Sequence, residues 1–151
     1  MSWNIYLSGE IHTDWRERII DGAKSAGILA TFTSAVTDHS ASDAAGDLLS
    51  PSSQGFWRDH KSAKVNAIRT RTLIQKCDIA VVRFGDQYKQ WNAAFDAGYA
   101  SALRKSLVIM HDPQHQHALK EVDAAALAVV EETKQVVEIL DYVINGNIPR
   151  S

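Results

Sequence analysis

Two short polar segments carry side chains that can move protons, and each follows an apolar run of the sequence. Ser8-Gly9-Glu10-Ile11-His12 comes after the first run, and Phe84-Gly85-Asp86 comes after the third. A carboxylate with a neighbouring imidazole, as in Glu10 and His12, can act as an acid–base pair on a bound substrate. Structural alternatives remain, since Glu10 can pair with a nearby arginine and Gly9 can serve only the turn.

Asp96 is the carboxylate best suited to nucleophilic chemistry. It falls about one turn inside a predicted helix for which Asn92 is the expected N-cap. The helix dipole favours the ionised form of a carboxylate in that position, and such a carboxylate suits attack on a sugar carbon. A solvent-facing aspartate near a helix start explains the same spacing equally well, because acidic residues are common there.

Short apolar runs rich in β-branched residues alternate with helical patterns along the chain. Runs that are apolar at nearly every position predict strands covered on both faces, and intervening helices predict right-handed parallel crossovers. We therefore expect a doubly wound, three-layer α/β domain with a mostly parallel five-stranded sheet and a ligand site beyond the carboxyl ends of its strands. The predicted strands are Asn4–Leu7, Ile28–Phe32, Ile79–Phe84, Leu107–Met110 and a weaker Leu127–Val130.

The helical patterns have recognisable ends. The first helix begins at His12 or Thr13 and stops at Gly27, and the later ones are predicted at Trp57–Lys76, from Asn92 onward and at Thr133–Ile144. Residues 37–54 are polar and small without strong periodicity, which in a compact domain indicates a functional or mobile segment.

Length and composition exclude several classes of protein. The 151 residues fit one domain, and the 16 Lys and Arg are interleaved with 18 Asp and Glu, which disfavours nucleic acid as a partner. A single cysteine, Cys77, forms no internal disulfide and fits a small buried residue in a reducing compartment. No apolar run reaches the length of a membrane helix, so we expect no membrane association and a cytoplasmic protein.

Cofactor motifs are weak in this sequence. There is neither a G-x-G-x-x-G nor a G-x-x-x-x-G-K-[ST] segment, so we expect no dinucleotide or triphosphate cradle. The segment from His111 to His117 has closely spaced histidines without cysteine or a spaced set of carboxylates, and a solvated turn explains it better than a metal site. We therefore expect no cofactor and no metal.

Two segments resemble the signatures of nucleoside 2-deoxyribosyltransferases: Tyr6-Leu7-Ser8-Gly9 and Phe95-Asp96-Ala97-Gly98-Tyr99-Ala100. Three longer stretches, residues 9–16, 56–61 and 90–100, resemble more narrowly the YtoQ-type branch of that family. The resemblance covers the fold of nearly the whole chain and implies a flavodoxin-like or Rossmann-like domain.

The family resemblance implies a mechanism. A carboxylate attacks the anomeric carbon of a 2′-deoxynucleoside, a covalent deoxyribosyl enzyme forms, and water or a second base collects the sugar. Asp96 falls where the family has its nucleophilic glutamate, and Tyr6 matches the tyrosine that orients that carboxylate. The resemblance also implies a nucleoside or nucleotide substrate and a homo-oligomer whose neighbouring subunit borders the site.

The chain departs from the family pattern at three positions. Gln90 stands where the family has the acid that helps the base to leave, and Asn92 stands where it has a glycine. Asp96 is one methylene shorter than glutamate, a loss of about 1 Å in reach, and a misplacement of that size can cost about a hundredfold in rate. These departures favour an alternative function, a module that binds a nucleotide or a similar metabolite without turning it over.

Several aromatic and basic residues are further candidates. Trp15, Trp57 and Trp91 all adjoin site segments and can stack on a base or anchor the core. Arginines and lysines, namely Arg58, Lys61, Lys64, Arg69, Arg71 and Arg83, can bind a phosphate. We expect the catalytic residues to be Asp96, Tyr6, Glu10 and Asp86, and the substrate-binding residues to be Gly9, His12, Trp57, Arg58, His60, Gly85, Trp91 and Asn92.

Overall fold

The computed structural model describes residues 2–49 and 55–148. Its described residues form five strands: β1 (Trp3–Gly9), β2 (Ala30–Ser34), β3 (Ile79–Phe84), β4 (Ser106–His111) and β5 (Ala128–Val130). All neighbouring strands pair in parallel, in the order β2-β1-β3-β4-β5. The predicted doubly wound α/β fold is therefore confirmed, and the order is that of flavodoxin-like sheets.

Helices cover both faces of this sheet. They are α1 (Trp15–Ser25), α2 (His39–Ala44), α3 (Gly55–Lys76), α4 (Trp91–Ala102), α5 (Gln116–Ala124) and α6 (Thr133–Asn145). One face packs on α1 and α6, and the other packs on α3, α4 and α5. Within the described ranges, no helix is long and apolar enough to cross a lipid bilayer.

The alternation of side chains along β1 connects the sheet to the candidate site. Ile5 and Leu7 are buried in the core beneath α1 and α6, whereas Tyr6 is buried on the opposite face with residues of α3 and α4. Because successive residues of a strand point to opposite faces, Ser8 shares the face of Tyr6. The strand order reverses between β1 and β3, so this face of β1 leads to the crevice in which doubly wound domains bind ligands.

Residues 37–54 contain more regular structure than the sequence pattern indicates. Helix α2 begins at His39, and a 3₁₀ helix follows at Ala45–Leu49. The carboxylate of Asp38 caps α2 by accepting a hydrogen bond from the backbone of Ala41 at 2.8 Å. Gly46 packs against α3 so closely that an added Cβ would lie 2.7 Å from a backbone nitrogen. Residues 50–54 lie outside the described residues.

Two local predictions were wrong. Asn92 is not the N-cap of α4, because the carbonyl of Gln90 accepts the first helical hydrogen bonds, from Ala93 and Ala94. His111 is not part of a solvated turn, since it ends β4 and is only 4% exposed, with Nε2 at 3.1 Å from the carboxylate of Asp123. The backbone hydrogen bonds of α4 fix its N-cap at Gln90, and the pairing of β4 with β3 keeps His111 in the sheet.

The end of β1 depends on a glycine. Gly9 has φ +117°, and a Cβ added there would lie 2.0 Å from the carbonyl oxygen of Arg83 on β3. The same carbonyl accepts a hydrogen bond from the backbone of Glu10 at 3.1 Å. Only glycine combines this φ with such a close approach of two chains.

We predict that Gly9→Ala lowers the free energy of unfolding by at least about 3 kcal/mol, because backbone strain and a steric clash add. Gly27→Ala is the matched control, since Gly27 has φ +69° and an added Cβ there would meet nothing within 4 Å. The control should cost only about 1 kcal/mol of backbone strain. Urea unfolding of both variants measures the difference, and equal losses would contradict a close approach at Gly9.

Candidate active site

The carboxylate of Asp96 lies between α4 and the carboxyl end of β1. It is only 9% exposed, and its Oδ2 accepts hydrogen bonds from Ser8 Oγ at 2.6 Å and from the Tyr6 hydroxyl at 3.4 Å. Both donors come from the same face of β1. Among the described residues both hydrogen bonds of this carboxylate go to Oδ2, which leaves Oδ1 without a hydrogen-bond donor there.

Burial and hydrogen bonding oppose each other at Asp96. Burial raises the pKa of Asp96 above its usual value, and the bonds from Ser8 and Tyr6 offset part of that rise. Burial, together with the nearby Asp96 carboxylate, raises the pKa of Tyr6, so Tyr6 remains a neutral donor. The result is a poorly solvated carboxylate whose charged form is stabilised by two donors on one of its oxygens.

Two connected cavities meet at Asp96. One has a volume of about 460 Å³ and the other about 340 Å³, and both are lined by Ser42, Asn92 and Asp96. These volumes fall in the range of small-molecule sites. We call the larger cavity the polar lobe, after Asp43, Asp59, Asn66, Arg69 and Arg71, and the smaller one the aromatic lobe, after His12, Tyr88 and Trp91.

Glu10 holds the loop after β1 rather than facing the cleft as a free carboxylate. Its Oε1 accepts hydrogen bonds from the backbone of His12 and, at 2.7 Å, of Thr13. Its Oε2 accepts from the Thr13 hydroxyl at 2.6 Å and from Arg83 Nε at 3.1 Å. Burial alone would raise the pKa of Glu10, but these hydrogen bonds outweigh it and lower the pKa. Glu10 therefore stays ionised and fixes the loop.

Arg16 fixes the same loop from the other side. Its guanidinium donates to the carbonyl of Glu10 at 2.6 Å and to that of Gly9 at 3.1 Å, and it lies over the ring of Trp15. Arg16 and Trp15 are both buried. Trp15 therefore belongs to the core, and it is not available to stack on a base.

Gln90 closes the loop between β3 and α4. Its Oε1 accepts from the backbone of Gly85 at 3.1 Å, and its Nε2 donates to the carbonyls of Gln87 and Tyr88. Tyr88 has φ +64°, a conformation that is rare outside glycine. The amide of Gln90 thus stabilises a strained turn that presents the ring of Tyr88 to the aromatic lobe.

Comparisons with known proteins identify the family of the chain. A family model described as nucleoside 2-deoxyribosyltransferase YtoQ matches residues 6–144. The protein YtoQ of Bacillus subtilis (strain 168) is 37% identical over 143 residues, which span 94% of this chain and 97% of that protein.

The chain belongs to the nucleoside 2-deoxyribosyltransferase YtoQ family.

The fold of this YtoQ-family chain is also similar to a solved structure. That structure is the 2-deoxyribosyltransferase from the psychrotolerant bacterium Bacillus psychrosaccharolyticus, with a TM-score of 0.52 and 16% identity. The match covers 89% of this chain and 90% of the other. At this identity the similarity supports the fold and not the chemistry.

The structure brings most of the predicted catalytic residues together. Asp96 and Glu10 line the cleft, and Tyr6 lies behind Asp96. Asp86 is not among the described residues that line either lobe. Its side chain is 66% exposed and accepts from Gln114 at 2.8 Å, and His115 Nε2 lies 2.7 Å from the same oxygen. The hydrogen bond with His115 lowers the pKa of Asp86 most, and the bond from Gln114 lowers it further.

The predicted substrate-binding residues divide into three groups. Gly9, His12, Trp91 and Asn92 line the aromatic lobe. Gly85 packs against Glu10, since an added Cβ would lie 2.4 Å from Glu10 Cγ. The remaining three, Trp57, Arg58 and His60, are exposed at the start of α3 and line neither lobe, and there the rings of Phe56, Trp57 and His60 contact one another.

Sequence reasoning missed the role of Ser8 and the engagement of Gln90. The signal for Ser8 was present, because period-two alternation places it on the face of Tyr6. No local signal indicates the bonds of Gln90, which follow from the path of the loop. Among residues 2–49 and 55–148, no group of three or more His, Cys, Asp or Glu side chains is arranged to hold a metal ion.

We predict that restoring an acid at position 90 harms the fold. In Gln90→Glu a carboxylate would face the carbonyls of Gln87 and Tyr88, so the free energy of unfolding should fall by about 1–3 kcal/mol at neutral pH. Because the folded chain disfavours this charge, the pKa of the new carboxyl lies above its usual value of about 4.3, so the loss should shrink as the pH falls toward about 4.3 and be absent below it. Thermal melts from pH 3 to 8 test this, with the exposed Gln87→Glu as the matched control; equal stability of the two variants at pH 7 would contradict it.

Proposed function

We propose that this protein cleaves or exchanges the N-glycosidic bond of a 2′-deoxynucleoside or its 5′-monophosphate through a covalent intermediate on Asp96. The observation that carries the proposal is the geometry of one carboxylate. Asp96 is buried and lines both cavities, Oδ2 accepts hydrogen bonds from Ser8 and Tyr6, and no described residue donates to Oδ1. A desolvated and oriented carboxylate is suited to attack an anomeric carbon.

The proposed reaction has two steps. In the first, Asp96 Oδ1 bonds to the anomeric carbon while the bond from that carbon to the base breaks, and the base leaves with the bonding electrons and a proton. In the second, water or another base attacks the same carbon and the Asp96 carboxylate leaves. The hydroxyls of Ser8 and Tyr6 orient the carboxylate in both steps. Because the anomeric carbon is attacked twice, from opposite faces, the product retains the configuration of the substrate.

The two lobes suggest how the substrate lies. The rings of His12, Tyr88 and Trp91 favour the base in the aromatic lobe, because aromatic faces stack on any nucleobase. The 5′ side of the sugar then points to the polar lobe, where Arg69 and Arg71 offer planar donors for a phosphate. The homo-oligomer and the cytoplasmic location stay predictions.

A binding module is the second candidate function. The amide of Gln90 is engaged with the backbone, so the position where the family has an acid offers no proton to a leaving base. Asp96 is also shorter than glutamate. Tight binding of a nucleoside with no product after long incubation would support this alternative.

The decisive experiment is a substrate panel. The protein is incubated with each 2′-deoxynucleoside or its monophosphate, with and without a second free base, and mass spectrometry measures the released or exchanged base. We expect release or exchange from at least one of these substrates. Asp96→Asn should lower the rate about a thousandfold or more, as removal of a nucleophile does. The exposed Asp21→Asn on α1 is the matched control and should retain full activity.

Two results would contradict the proposal. If Asp96→Asn retained full turnover, Asp96 would not be the nucleophile. A correctly folded protein that turns over no member of the panel would leave the binding module as the better account.

The pH dependence of the rate reports the donors to Asp96. Because the pKa of Asp96 lies above its usual value, the carboxylate form is lost as the pH falls through that raised pKa, and kcat/KM falls with it. Ser8→Ala removes a hydrogen bond that favours the carboxylate, so the acidic limb should move to higher pH. Tyr6→Phe should move it less, because its bond is 3.4 Å against 2.6 Å. If neither variant moves the acidic limb of the kcat/KM profile, that limb reports the titration of a group other than Asp96.

A further inference from the structure

The proposed reaction requires a proton for the leaving base, and Gln90 does not supply it. Both ends of its amide are engaged with the backbone of the loop between β3 and α4. An amide is not an acid in any case. We therefore look for the proton donor among the described side chains that border the aromatic lobe.

The titratable and charged side chains around this lobe are few among the described residues. They are Glu10, His12, Tyr88, Lys89 and Asp96. Asp96 is the proposed nucleophile, and Glu10 is an ionised carboxylate that accepts four hydrogen bonds. Phenols and ammonium groups are weak acids, whereas imidazole is the side chain that exchanges protons near neutral pH.

His12 is held in place without its ring being buried. Its backbone N–H donates to Oε1 of Glu10, and its ring packs on that of Tyr88 with centroids 5.0 Å apart and planes tilted by 40°. Glu10 is itself fixed by Arg83, and the turn at Tyr88 is fixed by Gln90. The side chain is exposed at the lobe that also contains Asp96.

We propose that His12 is the general acid that protonates the departing base, an inference that rests on the proposed function. The imidazolium gives its proton to a ring nitrogen of the base as the bond between that base and the anomeric carbon breaks and the ester to Asp96 forms. The neutral imidazole then takes a proton from the attacking water as the ester bond breaks, which restores both groups.

The test compares two leaving groups under single-turnover conditions. 2′-Deoxyguanosine needs a proton on its base, whereas 7-methyl-2′-deoxyguanosine already carries a positive charge and its base leaves neutral. His12→Gln should slow base release from 2′-deoxyguanosine at least about a hundredfold. Its effect on the methylated substrate, corrected for spontaneous release, should be within about threefold.

The matched control is His117→Gln, an exposed histidine on α5 outside both lobes, which should leave both rates unchanged. Equal slowing of both substrates by His12→Gln would overturn the inference, because it would mean that His12 only binds or orients the substrate. Undiminished release from 2′-deoxyguanosine would overturn it as well. If the wild type releases base from neither substrate and from no other member of the panel, the proposed function fails and the inference fails with it, a result distinct from the other two.

Discussion

The hydrogen bond from Ser8 to Asp96 joins the end of the first strand to the helix that follows the third. A carboxylate buried without partners would cost several kilocalories per mole and would take up a proton instead. The 2.6 Å bond from Ser8 and the weaker one from Tyr6 make the charged form tolerable at this place. They also link α4 to β1, so the same interaction that stabilises the charged carboxylate joins two elements that border the cleft.

The loops around that carboxylate are fixed by side chains that bond to backbone. Glu10 and Arg16 hold the loop after β1, and Gln90 holds the loop after β3. Gly9 allows the ends of β1 and β3 to approach so closely that no other residue fits. Such a site is ordered before a ligand arrives, which lowers the entropic cost of binding.

The sequence predicted the sheet and the place of Asp96 in the cleft better than the loops, because apolar patterns encode strands and leave the conformation of irregular loops open. Strands are encoded by local apolar runs, and the alternation within β1 already places Tyr6 on the face of the site. The bonds of Gln90 span at most five residues, but they depend on the conformation of an irregular loop. The burial of His111 depends on packing against α5, where Asp123 lies. Trp57 and His60 were named for their residue types, and type alone does not reveal that they lie outside the cleft.

In the proposed reaction, the exposure of the cleft bears on whether water or a second base collects the sugar. Tyr88 is 77% exposed and Trp91 is 75% exposed, so the rim of the aromatic lobe is open to solvent in a single chain. An ester on Asp96 with such access to water is hydrolysed unless something excludes water from it. Transfer to a second base therefore requires that the incoming base, stacked on these rings, or a neighbouring subunit cover the lobe after the first base has left. An open lobe favours hydrolysis. Transfer competes with hydrolysis only when a second base stacked on the rings at the rim, or a neighbouring subunit, keeps water from the ester.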